Sequence, residues 1–170
     1  MKNQKTVKLV LSALLAAVVC VATVVLAFPL PGNGFANLGD GAVILCGAVL
    51  GSWWGAAAAA IGAALGDLFL GYSVYAPATF VIKGGMALIV YVLFRKLPAP
   101  AWLRIPLAAI ASEAVMIGGY FLFELALYGP TVAVPDLVGN GMQGLVGAAL
   151  GILLLSVLNS HPRLKSFLQK

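Results

Sequence analysis

Charge is scarce in this chain. Only 9% of its 170 residues are charged, while 62% are hydrophobic. A soluble domain carries about a quarter charged residues and is about half apolar. A water-soluble fold of this size cannot hide so much apolar surface, so the composition implies a membrane protein. Histidine is nearly absent: His161, in the C-terminal tail, is the only one. That excludes a Ser–His or Cys–His pair, or a two-His metal site, inside a bilayer. The two cysteines, Cys20 and Cys46, fall within apolar runs at a spacing that fits no metal motif, and they read as small packing residues. No Gly-rich phosphate loop of the Walker type occurs, so the chain does not hydrolyse ATP itself. The expectation is no enzyme, no resident cofactor and no metal.

What the sequence does contain is long apolar runs. A spanning helix needs about 20 residues, which leaves no room for an extramembrane domain. An all-α integral membrane fold is expected, a single domain over residues 1–170 with six transmembrane helices near 7–27, 39–52, 54–71, 78–94, 105–128 and 136–158. Pro/Gly-rich stretches separate several of them: PLPGNGFANLGD, YSVYAP, RKLPAPAWLR and GPTVAVP. The basic start resembles a signal peptide. However, the run from Leu9 to Phe28 is longer than a signal's apolar core and lacks a clear cleavage site, so it reads as a retained span.

With six spans, Lys2, Lys5, Lys8, Arg95, Lys96, Arg104, Arg163, Lys165 and Lys170 all fall on one side, and the opposite loops hold no Lys or Arg. The positive-inside rule then makes both termini cytoplasmic, and the net charge of +5 reflects those segments rather than nucleic-acid binding. Trp53, Trp54 and Trp102 suit interfacial anchoring. Rows of small residues (Gly47, Gly51 and Gly55; Gly62 and Gly66; Gly147 and Gly151) point to close helix packing in lipid. A similar row on the first helix, Ala13 and Ala17 beside Ser12 and Ala16, is a candidate docking face.

The remaining polar groups converge in depth. Asp40, Asp67, Lys83, Glu113, Glu124, Asp136, Asn140 and Gln143 lie in or near the outward halves of their spans. An intramembrane charge costs roughly 3 kcal/mol even on permissive scales, so this grouping reads as the lining of a cavity open to the exterior. Glu113, Ile117, Tyr120 and Glu124 follow the spacing of one helix face. Asp67 and Lys83 are expected to pair across the third and fourth helices, either as a brace or with Lys83 also donating to a ligand. Glu113, with no basic neighbour other than Lys83, reads as a ligand contact. Asn140 and Gln143 fit ligand recognition or interhelical hydrogen bonding. Asp40, Glu124 and Asp136 are expected near water, solvated or capping, with Asp136 after Pro135 as a helix start.

Four segments carry a family resemblance: ANLGD at 36–40, GDLFLGYSVYAPATFVIKG at 66–84, SEAVMIGGYFLFE at 112–124 and VGNGMQGLVGAALG at 138–151. In order and spacing they resemble the S component, the substrate-binding subunit, of an energy-coupling-factor (ECF) vitamin transporter. They are similar to its riboflavin-type branch, which also includes proteins linked to pyridoxine and hydroxymethylpyrimidine uptake. The second glycine of GGYFLFE follows no evident pattern. The resemblance implies a vitamin bound near the outer face of a bacterial plasma membrane, a transmembrane scaffold partner docking on Ala13 and Ala17, and two cytoplasmic ATPases. It assigns substrate contacts to Asn37, Lys83, Glu113, Tyr120, Asn140 and Gln143. Tyr75 and Asp67 join them from the residue reading, with Tyr72, Tyr75 and Tyr120 placed to stack on a flat ring. Two other classes compete. A small ion-coupled secondary transporter would favour inverted repeats and a midplane site, and a structural subunit would leave the convergent carboxylates without a role.

Overall fold

The computed structural model describes residues 2–29 and 34–162, with side chains from residue 5. Six helices and a short ladder follow in the order α1 (Lys2–Val25), β1 (Ala27–Pro29), β2 (Phe35–Asn37), α2 (Asp40–Leu50), α3 (Ser52–Leu70), α4 (Ala76–Lys96), α5 (Ala101–Tyr128) and α6 (Pro130–Ser160). Five of the helices are long and apolar enough to cross a membrane; α2 is not. Its 11 residues rise only about 16 Å. A short helix is tolerated at membrane depth only when protein surrounds it. Nine of the α2 residues are indeed buried, held among α1, α3, α4 and α6.

The expected all-α fold therefore gains a small β-element. β1 and β2 pair antiparallel, with Ala27 opposite Asn37 and Pro29 opposite Phe35, and deliver the chain from α1 to α2. Two boundaries also move. α5 begins at Ala101 rather than 105, directly after Pro100 in an extended conformation. GPTVAVP is not a loop: Gly129 alone, at φ 77°, separates α5 from α6, and Pro130 opens the helix. Proline suits that place because its preset φ matches the helix and its missing N–H has no partner to lose. Asp136 thus lies inside α6 and does not start it.

Close approach through glycine sets the helix contacts. A methyl at Gly47 would overlap the Ala87 carbonyl and come within 2.9 Å of Val90 Cβ, so α2 lies flat on the 83–87–90 face of α4. Gly62 and Gly66 admit Val19 and Thr23 of α1 in the same way. Gly119, the second glycine of GGYFLFE, has a reason too: a methyl there would meet Ile82 at 2.8 Å, where α5 crosses α4. On α1 the buried stripe is Ser12, Leu15, Val19 and Thr23, while Ala13 and Ala17 are exposed.

The bundle has two unlike ends. One carries the hairpin, the N-terminus of α2 and the α3–α4 and α5–α6 turns. The other carries the α2–α3 and α4–α5 turns, with Lys5, Lys8, Arg95, Lys96, Arg104 and all three tryptophans. Arg163, Lys165 and Lys170, and the side chain of Lys2, lie outside the described residues.

Candidate functional site

Every acidic residue of the chain is buried, Glu113 near mid-bundle and the others toward the hairpin. The five carboxylates (Asp40, Asp67, Glu113, Glu124 and Asp136) are each 3% exposed or less. Lys83, at 1%, is the buried cation among them.

The deepest layer centres on Lys83. Its ammonium pairs with Asp40, not with Asp67 as the sequence suggests. The cause is the rotation of α4. Lys83 lies one turn from Ala87, on the face that Gly47 draws against α2, so Lys83 faces the first turn of α2. Asp40 opens that helix, where the unpaired N–H groups and the helix dipole favour a negative charge. Its other oxygen accepts from Gln143 Nε2 at 2.6 Å, and Gln143 Oε1 accepts from the Asn37 amide at 2.8 Å. Asn37 in turn accepts the Gly39 amide at 2.9 Å, an Asx turn leading into α2. Asp40 is therefore a fully buried hub and neither solvated nor a surface cap. Glu113 lies beside this hub, close to the space left by Gly147, and neither of its oxygens has a hydrogen-bond partner.

The middle layer joins three helices. Thr79 Oγ1 and Tyr120 Oη are 2.8 Å apart, and Asp67 approaches the same Thr79 hydroxyl. Asp67 Oδ2 has no partner. Lys83 Nζ lies 5.5 Å from the Tyr120 ring centroid, so that ring bridges the two layers.

The outer layer is aromatic and acidic. Tyr75 is 5% exposed and packs against Tyr72, Tyr120, Phe123 and Tyr128, at centroid distances of 5.3–6.5 Å. Phe35 of β2 packs against Tyr72 with ring centroids 4.6 Å apart and the rings tilted by 39°. Glu124 approaches both the Tyr75 hydroxyl and the Asn140 amide. Burial first, and then the Glu124 charge, raise the Tyr75 hydroxyl's pKa above its ordinary value, so it remains a donor. Glu124 and Asp136 both face Gly34: a methyl built there would lie 3.4 Å from each carboxylate. Glu124 and Asp136 are thus buried side chains, contrary to the expectation that they lie near water.

A narrow cavity runs between these layers, lined by Asn37, Asp67, Tyr75, Tyr120 and Asn140 of the sequence-derived residues, and by Thr79, Glu124, Gly34 and Phe35 besides. Its interior closes to about the size of one water molecule. Lys83 and Gln143 lie beneath it and connect to it through Asn37 and Tyr120. Glu113 is buried alongside and is not part of the lining. The sequence reading placed Asp40 and Glu124 at this depth but expected them near water and not among the substrate contacts. The available signal was that all five acids lie away from the basic end while only one buried base answers them.

Comparison with known proteins adds to this geometry. The model of a family described as "ECF-type riboflavin transporter, S component" matches residues 3–160. A protein of Pyrococcus woesei, named "Uncharacterized protein in gap 3'region", is 34% identical over 134 residues, covering 78% of this chain and 88% of that protein.

Proposed function

The chain belongs to the ECF-type riboflavin transporter S-component family, and from that premise we propose that it captures a small nitrogen heterocycle of the B-vitamin class, a pyridoxine or hydroxymethylpyrimidine compound ahead of riboflavin. Membership makes it a multi-pass membrane protein and the vitamin-binding subunit of a transporter rather than an enzyme. It also implies a scaffold subunit and ATPases as partners.

The observation that carries the substrate reading is the narrow cavity lined by Tyr75 and Tyr120 together with the polar side chains of Asn37, Asp67, Thr79, Glu124 and Asn140. Ligand sites pair apolar walls with a few placed polar groups. Tyrosine faces suit a flat ring, and Asp67, Asn140 and the Lys83–Asp40–Gln143 hub offer donors and acceptors at its edge. The cavity as it stands admits about one water, so any ring requires outward movement of the Tyr75 cluster, and a single ring requires less of it than a tricycle. In this reading Asn37, Asp67, Tyr75, Tyr120 and Asn140 touch the ligand. Lys83 and Gln143 read its inner substituents, and Glu113 adjusts the charge of the hub. The exposed Ala13 and Ala17 face of α1 is assigned to the scaffold: small residues let a partner helix come close. The hairpin end then faces outward, and both termini are cytoplasmic.

The test is co-expression with ECF scaffold and ATPase subunits, followed by purification and uptake of labelled vitamins. Assembly and ATP-dependent import of a pyridine or pyrimidine compound are expected, with mass spectrometry of the co-purified ligand naming it. Failure both to assemble and to import removes the reading. Lys83→Ala and Glu113→Ala should each weaken binding, and unchanged affinity in both would remove the proposed site.

A further inference from the structure

Among the described residues, the cavity wall holds four buried side-chain atoms without a hydrogen-bond partner: Asp67 Oδ2, Tyr75 Oη, Glu124 Oε2 and Asn140 Nδ2. Three of them sit on side chains that answer one another, since Glu124 approaches both the Tyr75 hydroxyl and the Asn140 amide. Asp67 Oδ2 is different. Asp67 is 2% exposed, and its contact with the Thr79 hydroxyl leaves Oδ2 open. The Lys83 ammonium acts on Asp67 only through space, being paired with Asp40. A buried carboxylate oxygen left open carries a desolvation cost that a donor arriving with a ligand offsets.

The directions of the hydrogen bonds around Asp67 follow from counting protons. A hydroxyl has one proton to give, and an ionised carboxylate has none. Thr79 therefore gives its proton to Asp67. The contact between Thr79 Oγ1 and Tyr120 Oη, at 2.8 Å, must then run from tyrosine to threonine. Both hydroxyl protons are spent inside the protein, on a line from Tyr120 through Thr79 to Asp67 that ties α5 to α4 and α3. What this line leaves for a ligand at its end is an acceptor, Asp67 Oδ2. It lies in the middle layer, beneath the Tyr75 cluster whose outward movement admits a ring.

We propose that Asp67 is a specificity-determining residue that reads a hydrogen-bond donor: the bound heterocycle presents a hydroxyl or N–H to Asp67 Oδ2, and the same ring with a carbonyl in that place is disfavoured. This rests on the S-component reading above and deepens it, because it names the functional group that the site selects. A carbonyl there would meet the carboxylate lone pair to lone pair, with no proton from Thr79 or Tyr120 to mediate. A hydroxymethyl-bearing pyridine or pyrimidine meets the requirement, and its oxidised carbonyl counterpart does not.

The experiment uses the full chain purified in detergent and titrated with matched pairs. These are the hydroxyethyl and acetyl derivatives of pyridine and of pyrimidine at each ring position, which differ only as alcohol and ketone, with pyridoxine and riboflavin alongside. At the ring position that meets Asp67, the alcohol is expected to bind about tenfold more tightly than the ketone. Asp67→Asn, whose amide can give a proton where Oδ2 accepts one, should remove that preference. Thr79→Val decides the matter if Asp67→Asn does not fold: it releases the Tyr120 proton to the cavity, so the ketone should gain on the alcohol. Equal binding of alcohol and ketone at every position, a preference for the ketone, or a preference that these variants leave unchanged overturns the inference and leaves the S-component reading intact. Failure of every heterocycle to bind the folded protein overturns both.

Discussion

The two ends of this bundle treat charge in opposite ways. At the basic end the charges are exposed or half-buried, and those that touch protein do so as fasteners. Arg95 donates from Nη2 to the Ala48 and Val49 carbonyls, at 3.2 and 3.4 Å, closing the C-terminal turn of α2. Arg104 lies over the Phe94 ring at 4.8 Å, and Lys96 over Tyr91 at 6.0 Å. Cations suit helix C-termini and aromatic faces, so these contacts need no ligand to explain them. At the hairpin end the charges are fully buried and, Lys83 apart, of the other sign. Atoms without a hydrogen-bond partner occur at both ends, on Arg95 Nε and Arg104 Nε as on Asp67, Glu113 and Glu124, so the two ends differ in burial and in sign of charge rather than in whether hydrogen bonds stay open.

The largest expected effect comes from breaking the hub of the acidic end. Asp40→Asn leaves Lys83 buried without its counter-charge and removes an anchor of Gln143. A loss of about 3–5 kcal/mol is expected, read as a lower unfolding temperature in detergent, together with loss of vitamin binding. Wild-type stability in that variant would mean that the hub is not the brace described here. Next is Gly147→Val. The added side chain would enter the space held by Glu113 Oε1, 2.5 Å from a methyl at Gly147, and Asp40 Cβ, at 2.8 Å. Overpacking of this kind costs about 1–3 kcal/mol and should also weaken binding by displacing the hub, both measurable in one thermal-shift series with and without vitamin.

Arg95→Met addresses the other end. It removes two hydrogen bonds from a charged donor, so stability should fall by about 1.5–3 kcal/mol at most, with vitamin affinity unchanged. A loss of affinity at unchanged stability would contradict the division between the two ends. Trp102→Ala should do least. Trp102 is 75% exposed, so a change within about 0.5 kcal/mol is expected in detergent, and any larger effect should appear only in lipid, where interfacial anchoring acts.

Much of the fold was legible in the sequence because membrane proteins follow few rules. Apolar runs mark the five long helices, and rows of glycine at 62 and 66 and at 147 and 151 mark close contacts. Proline misled where it was read as a break. Pro130 and Pro135 of GPTVAVP lie within α6, since both fall within two turns of its start, where few backbone bonds are lost. The candidate site was legible as a set of residues sharing a depth. Asn37, Asp67, Tyr75, Tyr120 and Asn140 do meet around one cavity, and Lys83 and Gln143 meet beneath it.

The sequence by itself determined the membrane class, the placement of nearly all bases at one end and all acids away from it, and the small-residue rows, because each depends only on composition and on distance along a helix. Which charge meets which was decided by tertiary structure. Lys83 lies nearer in sequence to Asp67 than to Asp40, and equal depth made Asp67 the natural partner. Pairing instead followed the rotation of α4, and that rotation follows from α2 resting on Ala87 and Val90 through Gly47. Depth is a property of one helix; azimuth is settled only when helices pack.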